Sequence, residues 1–174
     1  REYESAYELV PQDLKVLRAI GRLASAEGDF ARAEDIYTAM VERIDDNADD
    51  AELLEVYRTL GQMAFQAGNI DKAKTYLEKT IELQPNSSEA LRSLIELCES
   101  QNYWDGVVEY ATELQSLLSD PLESFDLQLR LGDVYLKQLN QMDEAVSAYQ
   151  SALDYQPNSK AAHFKIFQVL VDAE

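Results

Sequence analysis

Apolar residues recur at helical spacing along most of the chain. Leu17, Ile20 and Ala24 follow one another at intervals of three and four residues, which places them on one face of a helix. The same spacing returns in later segments, and six glycines and four prolines are too few for a loop-rich or all-β protein. The pattern therefore predicts an all-α protein made of about ten helical segments.

A ten-residue pattern occurs three times in the chain. "GDFARAEDIY" begins at Gly28, "GNIDKAKTYL" at Gly68 and, more loosely, "NQMDEAVSAY" at Asn140. Such periodic recurrence predicts units that each bury a face against a neighbour. In four segments one packing residue follows another after four positions, namely Ala33 and Tyr37, Ala73 and Leu77, Val107 and Ala111, and Ala145 and Tyr149.

Glycine and proline mark the predicted helix ends. Gly28 and Gly68 stand where one helix must end and the chain must turn into the next. Seven residues earlier, Gly21 and Gly61 allow two helices to approach closely. Each unit is thus predicted to contain two helices joined by a tight turn. Prolines, which cannot continue a helix, follow the second helices at Pro11, Pro85 and Pro157.

These features resemble the tetratricopeptide repeat, a helix-turn-helix unit of about 34 residues. The resemblance extends over essentially the whole chain and implies an α-solenoid, a right-handed superhelix of antiparallel helix pairs. The third copy departs most, because Ile95 replaces the first glycine, Asn102 the second and Val107 the alanine. The family's packing positions fall in the second copy on Tyr57, Leu60, Gly61, Ala64, Ile70, Ala73, Leu77, Thr80 and Pro85.

The resemblance also implies one solenoid domain with six segments. We expect the chain to be a part of a longer repeat protein, because its first segment matches only the end of a second helix and its last segment only a first helix. The segments are 1–13, the end of a preceding repeat; 14–49 and 50–87, repeats one and two; 88–121, the divergent third repeat; 122–158, the fourth repeat; and 159–174, the first helix of a following repeat.

The charge excludes some classes of partner. Thirty-three acidic and fifteen basic residues give a net charge of −18, which repels nucleic acid and anionic membranes. We interpret the excess of acidic residues as a means of keeping the protein soluble rather than as an acidic docking surface. No apolar run is long enough to cross a bilayer, no signal peptide stands at Arg1, and a single cysteine excludes an internal disulfide framework. The cytoplasm is the favoured compartment, although the sequence identifies none.

No set of catalytic residues is apparent in the sequence. It contains no glycine-rich phosphate loop, paired-cysteine zinc motif or serine-histidine-acid set, so we expect no enzyme activity, cofactor or metal. His163 and Cys98 occupy packing positions, which favours a partly buried structural histidine and an inert buried thiol. "DDNADD" begins like a calcium loop, but Asp50 stands where glycine is needed and Val56 where glutamate is needed. We interpret it as a solvated loop.

A column of arginines is the best candidate for a binding site. Arg18, Arg58 and Arg92 each stand three residues before the first glycine position of successive units, with Lys15 and Arg22 nearby. The resemblance implies that this position faces the concave groove. The column continues as Leu129 and Phe164, so the groove would be basic at one end and apolar at the other.

Two interpretations of this column remain open. Glu55, Glu89 and Glu96 could neutralise the arginines through i,i+3 and i,i+4 pairs on the same helices. Alternatively, the arginines anchor an acidic peptide or helix of a protein partner, with the apolar residues holding one bulky side chain. Some family members clamp a terminal carboxylate with five residues, but the matching positions here argue against that clamp; they are Arg18, Arg22, Thr59, Glu89 and Ser93.

The function that these features favour is a non-catalytic protein-interaction scaffold with a groove ligand. The alternative is a structural spacer or self-assembly segment of a larger repeat protein with an empty groove, and an enzyme is conceivable only through a domain outside this chain. In "HFKIFQVLV" apolar residues surround the last helix, whereas a helix that closes a solenoid should turn a polar face outward. We therefore expect a homodimer through Phe164, Phe167, Leu170 and Val171.

Overall fold

The computed structural model describes residues 13–44 and 50–172, and every regular element in these ranges is an α-helix. The predicted all-α class is thereby confirmed for this part of the chain. The helices are α1 (Leu14–Ala26), α2 (Phe30–Arg43), α3 (Asp50–Gln66), α4 (Ile70–Leu83), α5 (Ser88–Ser100), α6 (Trp104–Leu117), α7 (Pro121–Lys137), α8 (Met142–Tyr155) and α9 (Lys160–Asp172).

The chain divides into two compact units, Arg1–Ala90 and Leu91–Glu174, and the boundary falls within α5. In the first unit Leu17, Ile20, Tyr37, Met40 and Leu60 belong to one buried apolar cluster. In the second unit, two clusters join α7, α8 and α9; their buried members are Phe125, Ala152 and Ala162 in one and Ala145, Tyr149 and Val169 in the other.

The turn after each first helix uses a residue with positive φ. Gly28 and Gly68 have φ values of 79° and 74°, in agreement with the predicted helix ends at these glycines. Asn102 adopts the same region with a φ of 54°, so the replacement of glycine in the third repeat leaves the turn unchanged. The Asn69 N–H and the Tyr103 N–H make equivalent bonds to the Ala64 and Cys98 carbonyls, at 2.8 and 2.9 Å.

The turn of the fourth repeat is longer by one residue than the turns of the other repeats. Asn140 holds its positive φ of 54°, and the Gln141 N–H donates to the Tyr135 carbonyl over 2.8 Å. This bond spans six residues, whereas the bond from Asn69 to Ala64 spans five. Leu139 closes the end of the helix by donating to the Val134 carbonyl.

Glycines at the first glycine position bring paired helices into close contact. A Cβ atom on Gly61 would lie 2.8 Å from Leu77 Cγ, and one on Gly132 would lie 2.2 Å from Tyr149 Cε1. Both distances are too short for carbon atoms in contact, so the helix pairs α3–α4 and α7–α8 require a residue without a side chain here. Gly21 meets Tyr37 in the same way, with its Cβ position 2.9 Å from the ring.

Candidate partner-binding surface

The arginines of the first unit pair with glutamates on the next first helix. Arg18 Nη2 lies 2.6 Å from Glu52 Oε1, and Arg18 Nη1 lies 3.4 Å from Glu55 Oε2. Arg22 Nη2 donates to Glu55 Oε1 over 2.9 Å. Glu55 therefore bridges two arginines of α1, and these pairs join α1 to α3.

Arg58 forms a simpler pair at the start of α5. Its Nη1 donates to Glu89 Oε2 over 2.9 Å, while Gln62 Nε2 donates to the other oxygen of Glu89 over 3.2 Å. The Arg58 and Glu89 side chains are 44% and 55% exposed, compared with 29% for Arg18. Solvent-exposed ion pairs contribute about 0–1 kcal/mol to stability. Arg58 is thus the more readily released of these two arginines.

The second unit contains the same type of pair. Arg92 Nη2 lies 2.9 Å from Glu123 Oε2, which joins α5 to α7. In a second pair the arginine lies on the later helix: Arg130 Nε of α7 donates to Glu99 Oε1 of α5 over 2.8 Å. Arg92 is therefore paired with an acid, as one of the two interpretations of the column holds, but this acid belongs to another helix.

These contacts correct the expected mode of neutralisation. The sequence predicted pairs between residues of one helix, whereas each described pair of Arg18, Arg22, Arg58 and Arg92 joins two first helices. The physical reason is geometric: adjacent first helices lie side by side, so a side chain can reach one repeat further along the chain. Glu96 makes none of these contacts.

An open, polar pocket adjoins Arg58 in the first unit. Its volume is about 450 Å³, and it lies among α3, the end of α4, the following loop and the start of α5. Thr80, Gln84 and Ser87 line it, together with Leu54 and Ala51, which provide apolar surface. The pocket therefore offers a charged pair, neutral hydrogen-bonding groups and a small apolar wall in one concavity. Sequence reasoning missed Leu54, Gln84 and Ser87, because loop and groove positions have no periodic pattern.

The remaining residues of the predicted groove have different environments. Lys15 is exposed near the start of α1, where its backbone N–H is capped by Asp13 over 2.8 Å. Leu129 is only partly exposed because it packs against the two apolar clusters that join α7, α8 and α9. Leu129 thus contributes to packing, and its role in a ligand groove stays a prediction. Phe164 is 59% exposed.

One face of α9 exposes a row of apolar side chains. Phe167, Leu170 and Val171 are 62%, 57% and 51% exposed, and Phe164 continues the row. On the opposite face, Ala162 and Val169 are buried. We call Phe164, Phe167, Leu170 and Val171 the α9 stripe. Its exposure agrees with the expectation that this helix lacks a polar outer face.

A polar cluster that the sequence did not reveal attaches α9 to the fourth repeat. Asp133 accepts hydrogen bonds from Tyr149 Oη over 2.6 Å, from Lys137 Nζ over 3.2 Å and from Lys165 Nζ. Burial raises the pKa of the Asp133 carboxyl, but these hydrogen bonds outweigh burial and hold the pKa below its usual value. Burial and Asp133 both raise the pKa of the Tyr149 hydroxyl.

The candidate chemical groups show no catalytic arrangement in the described ranges. His163 is exposed, with Nδ1 2.8 Å from the Ser159 carbonyl oxygen, so its predicted partial burial was wrong; its position on α9 turns the ring to the surface. Cys98 is buried, as predicted. Residues 13–44 and 50–172 contain no group of three acidic, histidine or cysteine side chains suited to a metal. Asp45, Asn47 and Asp49 lie outside the described residues.

None of the described helices combines the length and the apolar character that a membrane crossing requires.

The fold is similar to that of solved helical repeat proteins. The chain superposes on the YrrB protein, described as a TPR protein with an unusual peptide-binding site, with a TM-score of 0.64 and 18% identity over 93% of this chain and 78% of that one. The MamA protein superposes with a TM-score of 0.63 and 21% identity over 89% and 79% of the two chains.

A third solved structure has the same fold. The N-terminal domain of stress-induced protein-1 from C. elegans superposes with a TM-score of 0.58 and 15% identity, over 71% of this chain and 98% of that domain. These similarities confirm the α-solenoid fold.

Two comparisons of sequence agree with the structural similarities. Over 119 positions the chain is 26% identical to the protein O-mannosyl-transferase Tmtc3 of Drosophila melanogaster. The match covers 68% of this chain and 12% of the length of that relative. Models of the tetratricopeptide repeat match residues 12–86 and 126–159, which together make up more than half of the chain. From its repeated sequence, its helix pairs and these matches, the chain belongs to the tetratricopeptide repeat family.

Proposed function

We propose that this chain is a non-catalytic protein-interaction scaffold that binds a peptide or helix of a partner protein. The observation that carries the proposal is the half-exposed pair of Arg58 and Glu89 beside an open pocket of about 450 Å³. Both side chains are accessible, and the pocket has room for part of a peptide. The same fold accommodates the peptide-binding site described for YrrB, which supports this type of function.

The ligand best suited to this pocket carries a carboxylate beside one apolar side chain. A carboxylate of the partner would replace Glu89 on Arg58, and the exchange costs little because the exposed pair is worth only about 0–1 kcal/mol. Leu54 and Ala51 offer the apolar side chain a surface, while Gln84 and Ser87 can bond to the peptide backbone. Arg18 is a poorer anchor because two glutamates already hold it.

Selection from a displayed library of random peptides would test this proposal. We expect the selected peptides to be acidic with one large apolar residue, and to lose affinity about ten-fold or more for the variant Arg58→Gln with Glu89→Gln. This double substitution removes both charges and introduces no repulsion. The matched control is Lys74→Gln with Glu78→Gln, which removes an exposed pair of α4 whose residues do not line the pocket.

A single substitution separates an anchoring arginine from a neutralised one. Glu89→Gln leaves Arg58 in place without its acidic partner, so the selected peptides should bind this variant more tightly, and the affinity should fall as salt is added. Equal affinity for the original chain, the double variant and Glu89→Gln would contradict a role for Arg58. Loss of affinity in the control variant would place the peptide elsewhere on the first unit.

A second candidate function, a structural spacer that assembles with itself, is favoured by the α9 stripe. Its exposed phenylalanines resemble the apolar surface of an association site. If this candidate is correct, light scattering should detect a dimer that becomes monomeric in the variant Phe167→Glu with Leu170→Lys. A chain that is monomeric at high concentration would exclude self-assembly through this stripe.

A further inference from the structure

Phe167 of the α9 stripe occupies a position that a second helix covers elsewhere in the chain. Phe167 stands ten residues after Pro157, as Ile95 stands ten residues after Pro85. In the same register, Gly21, Gly61 and Gly132 occupy this position in the other repeats. The face of α9 around Phe167 is therefore equivalent to established contact surfaces between paired helices.

The residue opposite this position is large wherever the position itself is glycine. Gly21 faces Tyr37, and Gly61 faces Leu77. Gly132 faces the ring of Tyr149, whose side chain is fully buried. A large side chain of the second helix thus fills the space that each glycine leaves.

The third repeat exchanges the sizes of the two positions. Ile95 replaces the glycine, and the position equivalent to Tyr37, Leu77 and Tyr149 holds Ala111. Ile95 and Ala111 are both 1% exposed, so the exchange leaves no exposed gap at either position. In this repeat the large residue thus stands on the first helix and the small one on the second.

We infer that the α9 stripe docks an amphipathic helix whose residue opposite Phe167 is alanine or glycine. Phe167 is larger than Ile95, so a helix with tyrosine or leucine at the facing position cannot approach α9 as α8 approaches α7. The docked helix lies antiparallel to α9, since the chain reverses between the paired helices of every described repeat. Its own apolar residues also cover Leu170, whose counterparts Ala24, Ala64 and Cys98 are buried.

A second copy of this chain is a poorer occupant for two reasons. Two α9 stripes placed face to face set phenylalanine against phenylalanine, which is the combination that none of the repeats uses at this position. Each copy adds a charge of −18, which opposes self-pairing further.

Helices of this chain provide probes for the experiment. The first probe is a fluorescein-labelled peptide with the α6 sequence Trp104–Leu117, which carries Ala111; the second is the same peptide with Ala111→Tyr. A hydrocarbon staple between positions 109 and 113, which are exposed in α6, keeps both peptides helical. Fluorescence anisotropy measures their affinity for the full chain and for its Phe167→Gly variant.

The expected result is a reversal of preference. The unaltered chain should bind the Ala111 peptide about ten-fold or more tightly than the Ala111→Tyr peptide, and the Phe167→Gly variant should prefer the Ala111→Tyr peptide. Phe167→Ala is a second variant with better helix propensity, and it should weaken the preference of the unaltered chain. Circular dichroism checks that each variant keeps its helices.

Three results would overturn the inference. The first is equal affinity of the unaltered chain for both peptides, or a preference for tyrosine. The second is no binding of either peptide at about 1 mM, a concentration that detects even weak complexes. The third is retained binding in the variant Phe167→Glu with Leu170→Lys, because that result places the peptides away from the stripe.

Discussion

Substitution of Gly61 by leucine is expected to lower the free energy of unfolding by about 3 kcal/mol, the upper part of the range for overpacking. Its Cβ atom alone would lie 2.8 Å from Leu77 Cγ and 2.9 Å from Leu77 Cδ2. Since Leu77 is 1% exposed, its side chain is enclosed by the protein and cannot turn out into solvent without losing its packing. The helices α3 and α4 must therefore separate, and chemical denaturation should report the loss.

Two further variants make this prediction specific. Leu77→Ala combined with Gly61→Leu copies the size exchange of Ile95 and Ala111, so the double variant should recover part of the lost stability. Gln66→Leu places the same side chain at an exposed position at the end of α3, and it should change the stability by less than about 0.5 kcal/mol. Unchanged stability in Gly61→Leu would mean that this helix contact is not close.

Substitution of Asp133 by asparagine is expected to destabilise the second unit by about 2 kcal/mol, because it weakens hydrogen bonds to a charged group. The loss should concentrate at α9, which Lys165 joins to Asp133. Hydrogen exchange of the α9 amides should therefore accelerate more than exchange in α6. Tyr149→Phe removes one of these hydrogen bonds only and should have a smaller effect.

The pH dependence of this effect has a definite sign. The folded-state pKa of Asp133 is lowered, so its contribution is fully present above the pKa of the unfolded chain, about 4, and is lost as the pH falls through the folded value. The difference in stability between the original chain and Asp133→Asn should thus be largest near neutral pH and shrink below pH about 4. A constant difference over this range would contradict the role assigned to the carboxylate.

Most of the fold could be predicted because its packing depends on neighbouring positions in the sequence. Ala73 and Leu77 lie four residues apart on one helix, so helical periodicity identifies both without knowledge of the partner helix. The departures at Ile95 and Asn102 were apparent in the sequence, but their consequences were not. Asparagine tolerates positive φ, so Asn102 keeps the turn, and Ile95 is as fully buried as Ala111, each at 1% exposure.

The candidate site was harder to predict because its contacts cross between helices. Arg58 and Glu89 are separated by 31 residues, and Arg22 and Glu55 by 33. These separations are close to one repeat, so the repeat period itself was a usable signal, whereas pairs within one helix were the wrong place to search. The contact between Asp133 and Lys165 spans 32 residues and follows the same rule.

Chemical-shift mapping by NMR tests the proposed binding site most directly. A library-selected acidic peptide is titrated into the isotope-labelled chain, and the amide shifts are compared with those of the Arg58→Gln, Glu89→Gln variant. We expect the largest shift changes at Leu54, Arg58, Gln84, Ser87 and Glu89, with most of them absent in the variant. Saturable changes elsewhere that persist in the variant would contradict binding at this pocket.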